Sequence, residues 1–464
     1  MTKRIKIIFI FIIFCTIVLS SLANKIEVPA EDKANFKITT FIQDLLRKVQ
    51  NLFFGKSYNK NNTSSVEKPL ENKNLFQGDI LLTENQADTI VDKVAEEAAE
   101  KGIDISKISE NDTDVRLKRK IDGSAKKWDF PIEYYIKEGD EDLIDKALKK
   151  IENKTCIRFK KIDSINFERP SLRFVEKDGC WSYIGRKNDF YYQDISIGER
   201  CNTIGTIQHE TMHALGLEHE QSRADRDDYL KIIHENIQEG EEQNFLKLEI
   251  NNSITYGVKY DYGSNMQYKV QAFGKNNKET MIPYNGVYNK TLGLNAGMSF
   301  LDGKALNIHY CSEVCKEKLK CYNGGYQNPN KCGTCKCVSG YDGKRCTKFL
   351  KRKSECGEQF YNVTEKNTFL IFKGKKNCLY HLKAPHGKRI KISIVRIVGI
   401  PFYPTRCLKT NSVEIKFFKD KTTSGAYFCG VTNDTVLITE NDHGIIHYRS
   451  EENHNMLNIY FKII

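Results

Sequence analysis

The hydrophobic positions change their period several times along the 464 residues of the chain. Ile7 to Leu19 is an apolar run of 13 residues that follows Lys3, Arg4 and Lys6 and leads into Ser21-Leu22-Ala23. This is the pattern of a secretory signal peptide over 1–23, shorter than the ~20 apolar residues of a spanning helix. Residues 24–119 hold polar, loop-like stretches such as 57–65 and one amphipathic segment at 84–101. In that segment Ala87, Ile90, Val91, Val94 and Ala98 recur on one helical face. Between 121 and 311 strand-like stretches (132–136, 157–159, 172–175) alternate with helical ones. Leu143, Ala147 and Ile151 give the segment 141–151 a helical stripe. Period-two alternation dominates 354–464, at 389–395, 413–418 and 456–463, and predicts an antiparallel β-sandwich.

Cysteine usage sharpens the division. Of 15 cysteines, Cys15 lies in the leader, four fall in 121–311, six in 312–350 and four in 354–464. The segment 312–350 is too short to build a hydrophobic core and has to be held by disulfides. Removal of the leader leaves an even 14, so no free thiol is required. Asn-x-Ser/Thr sequons begin at Asn61, Asn62, Asn111, Asn153, Asn251, Asn289, Asn362 and Asn433, candidate glycosylation sites in a secreted chain. The predicted location is extracellular.

The net charge of +12 invites a nucleic-acid reading. Its distribution argues otherwise. Residues 121–311 carry 26 Lys and Arg against 30 Asp and Glu, whereas 351–464 carry 19 against 10. The basic character belongs to the C-terminal modules and suggests contact with acidic glycans. Nucleic acid is not expected as a partner, and neither is a stable membrane span.

The densest chemistry is His209-Glu210-Thr-Met-His213-Ala-Leu-Gly216-Leu-Glu-His219-Glu220. Spacing i, i+4 puts His209 and His213 one helical turn apart, where both imidazoles reach one ion. Glu210 is offset by about 100° and stands beside the metal without ligating it. Gly216 supplies positive φ, so the helix can stop and His219 can return as a third ligand. Three neutral imidazoles leave a fourth zinc position open, the arrangement of a catalytic site.

HExxHxxGxxH resembles the metzincin signature, and Glu220 directly after the third histidine is similar to the astacin family. The run from Glu220 to Asp227 is similar to the family's continuation, with Ala224 where proline is usual. Gly179-Cys180-Trp181-Ser-Tyr183-Ile-Gly185-Arg186 resembles its cysteine-rich loop, and the stretch from Tyr260 to Tyr268 resembles its Met-turn. The layout resembles the nematode subgroup. The resemblance implies a multidomain chain: signal peptide 1–23, propeptide 24–119, α+β metzincin protease domain 120–311, EGF-like module 312–350 and an all-β CUB-like sandwich 354–464. It implies one zinc ion on His209, His213 and His219, Glu210 as general base and Tyr268 as stabiliser of the tetrahedral intermediate. Met266 would form the apolar floor beneath the ligands, although Asn265 and Gln267 stand where the family usually has Ile and His.

Phe76-Gln77-Gly78-Asp79 resembles the family's zymogen switch, in which Asp79 would fill the open zinc position. Cleavage after Arg119 or Lys120 would free a new N-terminus that bonds to Glu220. Bridges are implied among Cys156, Cys311, Cys180 and Cys201 and in the pairs Cys315–Cys332, Cys321–Cys335, Cys337–Cys346, Cys356–Cys378 and Cys407–Cys429. The activity implied is that of a secreted zinc metalloendopeptidase acting on extracellular matrix, cuticle or egg-envelope proteins. The competing reading is a catalytically weak or inert adhesion protein that works through its EGF-like and CUB-like modules.

Overall fold

The computed structural model describes residues 30–54, 68–100, 126–247, 255–401 and 406–464. The expected signal peptide and the basic cluster 116–120, with its expected cleavage site, lie outside these residues. Among the described residues no helix is long and apolar enough to cross a membrane.

Among the described residues before 101 there are two helices, α1 (Ala30–Phe54) and α2 (Glu84–Glu100). The patterning above located the second and missed the first. Ile38, Ile42, Leu45 and Leu46 give α1 an apolar stripe at helical spacing, and Ile42 and Leu46 are buried.

Strands β1 (Ile132–Ile136), β2 (Phe159–Lys161), β3 (Ser171–Val175), β4 (Cys180–Trp181) and β5 (Tyr192–Ile197) form one sheet in the order β2-β1-β3-β5-β4. It is parallel except for β4, which runs antiparallel to β5. The second expected strand therefore begins at Phe159 rather than Ile157. Every residue of β3 and β5 is buried, as both-face coverage of a parallel sheet requires. Asp194 is tolerated there because Arg173 donates to both of its oxygens, at 2.7 and 3.0 Å, and Lys177 lies 2.6 Å away. Helix α3 (Glu141–Lys154) is capped by Asp140, whose carboxylate accepts from the Leu143 N–H. It runs one turn further than the stripe suggested, and Ile144 and Leu148 join Ala147 and Ile151 in the core while Leu143 stays at the margin.

Helix α4 (Ile204–Ala214) follows the sheet and carries the histidine pair. After it the chain has little regular structure: a ribbon of β6 (Leu230–Ile232) and β7 (Met281–Pro283), short 3-10 turns, and α5 (Phe300–Cys311). A bridge Cys156–Cys311 joins the end of α3 to the end of α5, and Cys180–Cys201 closes the loop around β5.

Residues 312–350 make two short antiparallel ladders, β8 (Tyr326–Gln327) with β9 (Cys335–Lys336) and β10 (Tyr341–Asp342) with β11 (Lys348–Phe349). They are held by Cys315–Cys332, Cys321–Cys335 and Cys337–Cys346. Beyond residue 354 two sheets face each other. One has the order β12 (Phe360–Asn362), β14 (Lys376–Lys383), β19 (His443–Ser450), β16 (Ser412–Lys416), β17 (Ala426–Phe428). The other has the order β13 (Thr368–Lys373), β20 (Met456–Ile463), β15 (Ile390–Val398), β18 (Thr432–Ile438). Only β12 and β14 pair in parallel. The bridges here are Cys356–Cys378 and Cys407–Cys429.

Candidate metal centre

Helix α4 begins with Thr203, whose hydroxyl accepts from the Thr206 N–H, and ends in a glycine stop. Gly216 has φ of +96°; its N–H donates to the His213 carbonyl and the Leu217 N–H donates to the Met212 carbonyl. This pair of bonds reverses the chain within two residues. His219 is thereby brought back beside His209 and His213, with ring centroids 4.7–5.3 Å apart.

The protonation pattern follows from the outer contacts. His209 Nδ1 donates to the Asn265 carbonyl at 2.7 Å, His213 Nδ1 to the Leu217 carbonyl at 2.7 Å, and His219 Nδ1 to Gln77 Oε1 at 2.9 Å. With the Nδ1 protons so committed, all three Nε2 atoms present lone pairs. The Nε2 atoms of His209 and His213 nevertheless lie 3.1 Å apart. Asp79 Oδ2 stands 3.1 Å from His209 Nε2 and 3.2 Å from His219 Nε2, and Asp79 Oδ1 is buried without a hydrogen-bond partner. Burial holds His213 and His219 below their ordinary pKa, which disfavours imidazolium. A buried cluster of four acceptors without a donor is stable only around a cation. Asp79, His209, His213 and His219 form the one metal-ligand group of this kind among the described residues, their ligand atoms lying within 4.8 Å of one another. Histidine nitrogens with one carboxylate oxygen are the donor set zinc takes.

Glu210, one residue after the first ligand, is fully buried, and neither of its carboxylate oxygens has a hydrogen-bond partner. Burial, and next the Asp79 carboxylate, push its pKa well above the ordinary value. Tyr268 packs on His219 with ring centroids 4.6 Å apart, and its hydroxyl donates to the Gln77 carbonyl. Met266 is buried in the same cluster as Met212 and Ala214 of α4. The turn that carries it is held from α5. Asp302 accepts from the Ser264 hydroxyl at 2.6 Å and the Asn265 N–H at 2.9 Å, while also forming a capping box with Ser299. Asn265 and Gln267 are both satisfied. Asn265 donates to the Gly205 carbonyl and accepts from the Gly297 N–H, and Gln267 accepts from the Tyr260 hydroxyl. Glu220 accepts from the Asp261 N–H at 2.7 Å and pairs with Arg223 at 3.3 Å; burial pushes its pKa up to about 8.

Asp79 reaches the centre on a tight turn. Phe76 and Ile80 bridge across it, and Gly78 sits at φ +81°, where a Cβ would meet the Leu70 carbonyl oxygen at 2.6 Å and Phe273 at 2.8 Å. The leader is then stitched to the sheet edge: Ser182 N–H donates to the Asp79 carbonyl and Leu81 N–H to the Ser182 carbonyl. Gln77, given no role in the sequence reading, adds a further polar contact at the centre, because its side chain also accepts from the Ser222 hydroxyl at 2.9 Å. Its place immediately before Gly78-Asp79 was the available signal.

A buried three-histidine centre spread over a helix and the turn beyond its glycine stop, with a buried methionine packed in the core behind the helix, defines a metzincin-type zinc site. The family model of astacin, a family of peptidases, matches residues 120–311. The zinc metalloproteinase nas-36 of Caenorhabditis elegans is 31% identical over 483 residues, covering 95% of this chain and 75% of that protein. Nas-34 of the same organism is 34% identical over 388 residues, covering 82% of this chain. The chain belongs to the astacin family. It spans 63% of the length of nas-34. Among solved structures it is similar to high choriolytic enzyme 1, a hatching-enzyme zinc protease of the medaka Oryzias latipes. The identity there is 34%, with 40% of this chain and 94% of that one covered and a TM-score of 0.36.

Proposed function

We propose that the chain is a secreted zinc metalloendopeptidase made as a zymogen, latent while residues 24–119 remain attached and active on extracellular proteins once they are removed. The observation that carries this reading is the position of Asp79: a carboxylate from the leader contacts the nitrogens of His209 and His219 in the cluster that would hold the metal. The domain limits 120–311, 312–350 and 354–464, and the EGF-like and CUB-like character of the last two, belong to the same proposal. So does basic C-terminal contact with acidic glycans.

When bound, zinc supplies Lewis acidity, which polarises a peptide carbonyl and brings the pKa of water down to about 7. His209, His213 and His219 hold the ion, oriented by the carbonyls that accept from their Nδ1–H groups. Departure of Asp79 opens the fourth position and also relieves Glu210 of its neighbouring charge. The Glu210 carboxylate, dry and without competing donors, then accepts the proton of the attacking water and delivers it to the leaving amine. The Tyr268 hydroxyl, released from the Gln77 carbonyl, turns its donor toward the developing oxyanion. No acyl-enzyme forms. A new N-terminus that docks on Glu220 would supply an ammonium to a carboxyl which burial now keeps protonated up to about pH 8.

The test compares the zinc-loaded chain, uncut and cut at the basic cluster, on a protein substrate. Cutting switches activity on, chelation switches it off, and Glu210→Gln lowers kcat/KM by roughly 10²–10⁴. Asp79→Ala gives activity without cutting. Cleavage that persists after chelation would overturn the zinc mechanism, and an inert cut chain that still binds extracellular protein would overturn the proposal in favour of the adhesion reading.

A further inference from the structure

The leader does more than cap the metal. Arg47 of α1 is 4% exposed, and its guanidinium enters a pocket in the protease domain. Its Nε–H donates to the Gly240 carbonyl at 2.8 Å, and one terminal nitrogen lies 3.3 Å from Glu241 Oε1. The other contacts of the guanidinium, with Asp44 and the Lys73 carbonyl, belong to the leader itself. On the pocket side, Asn244 donates to Glu241 Oε2 at 2.8 Å and so fixes the carboxylate. Gln43, one turn before Arg47, donates to Asn244 Oδ1 at 3.2 Å. Removal of the leader therefore takes away the cation partner of Glu241 and frees the Gly240 and Asn244 oxygens together.

This site adjoins the metal centre. The turn Glu242–Phe245 follows Glu241 directly, and the Phe245 ring packs on Tyr268 and Phe273 at 6.3 and 6.2 Å. Lys73, whose carbonyl accepts from Arg47, lies six residues before Asp79, within ~20 Å of chain.

We propose that Glu241, with the Gly240 carbonyl, is a substrate subsite for an arginine or lysine side chain, and that Arg47 is its internal occupant in the latent form. A carboxylate fixed by Asn244 beside a backbone acceptor selects for a cation, because a neutral side chain leaves the charge unpaired. The inference rests on the protease reading in assigning the leader as removable.

The experiment has two arms, both using the chain cut at the basic cluster and freed of its leader. In the first, a proteome-derived peptide mixture is digested and the products sequenced. Arg or Lys is enriched at one fixed distance from the cut, kcat/KM for an Arg peptide exceeds that for its Gln counterpart by roughly ten- to a hundredfold, Glu241→Gln erases the ratio, and Glu241→Arg turns the preference toward Asp and Glu. In the second, the mixture is passed over immobilised Glu210→Gln chain and the retained peptides are sequenced. Arg and Lys are enriched among them and lose that enrichment in Glu210→Gln/Glu241→Gln. Cleavage without a basic preference, a preference that survives Glu241→Gln, or unselective retention would each overturn the subsite and reduce Arg47 to a latch. Failure of cleavage with selective retention would instead overturn the protease reading and keep the subsite.

Discussion

Two parts of the chain cover the protease domain, and they do so by different physics. The leader brings its own apolar cluster: Ile42, Leu46, Phe76, Ile80, Leu82 and Ala87 pack together, with Ile184 the one fully buried contribution from the protease domain. A smaller cluster joins Leu75 and Leu81 to Trp181 and Tyr183. The other contacts of the leader described above are polar: Asp79 at the histidines, Gln77 at His219, Arg47 at Glu241. The C-terminal sandwich shares a core instead. One continuous cluster runs from Leu230, Ile232, Tyr262, Tyr288 and Leu292 of the protease domain into Ile415, Phe417, Tyr427 and Phe461 of the sandwich. Polar contacts reinforce it: Ser424 donates through its N–H and hydroxyl to Asp261, Tyr427 N–H donates to the Thr291 hydroxyl, and Lys290 donates to the Cys429 carbonyl. The leader meets the protease domain through two small apolar clusters and through polar groups that water can replace, so its detachment would leave the larger core intact. Detachment of a cover that closes an apolar core would not.

This contrast can be broken by mutation, starting where the effect is largest. Tyr288 is buried, stacks on Tyr262 at 4.4 Å and packs on Phe417 and Phe418 of the sandwich at 5.8 and 5.6 Å. Tyr288→Ala should cost about 3–5 kcal/mol, and denaturant unfolding should show protease domain and sandwich destabilised together. Separate transitions, with only one shifted, would refute the shared core. Leu81→Ala, in the small cluster with Trp181 and Tyr183, should cost the uncut chain about 2–4 kcal/mol. It should raise the residual activity of that chain while leaving the cut chain unchanged.

A third prediction concerns pH. His381 and His443 of the sandwich stack 5.3 Å apart against Phe349 of the cysteine-rich module and Phe360, with Tyr341 of that module hydrogen-bonded to His443. Burial lowers the His381 pKa to about 4; burial, and then the nearby Lys421, lower that of His443 further. The neutral imidazoles are favoured in the fold, so their contribution is complete above the unfolded value of about 6.5 and is lost as pH falls toward 4. Stability of the C-terminal half should drop by up to about 3 kcal/mol for each imidazole over that window. His381→Phe should flatten the profile; an unchanged slope would exclude this pair as the cause. Smallest, Ser424→Ala removes one hydroxyl bond to Asp261 and should cost about 1 kcal/mol, read in the cut and uncut chains alike.

What could be read from sequence divides along the same line. His209, His213 and His219 were legible because local geometry does the work: one helical turn, one glycine stop, one return. Strands β1 and β3 and helix α3 were legible as short periodic segments and β2 within two residues, whereas β4, β5 and the parallel pairing of the sheet were not. Helix α1 was overlooked although Ile38, Ile42 and Leu45 repeat at helical spacing. Arg47 and Glu241 could not be paired at all, since 194 residues separate them and each in isolation reads as a solvated charge. The merging of protease domain and sandwich into one core was equally invisible, because Tyr288 and Phe417 carry no mark of which face they will share.

The bridge between Cys156 and Cys311 has a consequence for the order of events at the ribosome. It closes a segment of 155 residues, and its second sulfur is near the end of the protease domain. At roughly 5–20 residues per second, some 10–30 s pass between the emergence of the two cysteines. Throughout that interval α1, α2 and the Asp79 turn have already left the ribosome, while the sandwich that completes the core has not. The histidine-bearing domain therefore meets the segment that carries Asp79 before it can close its own Cys156–Cys311 bridge.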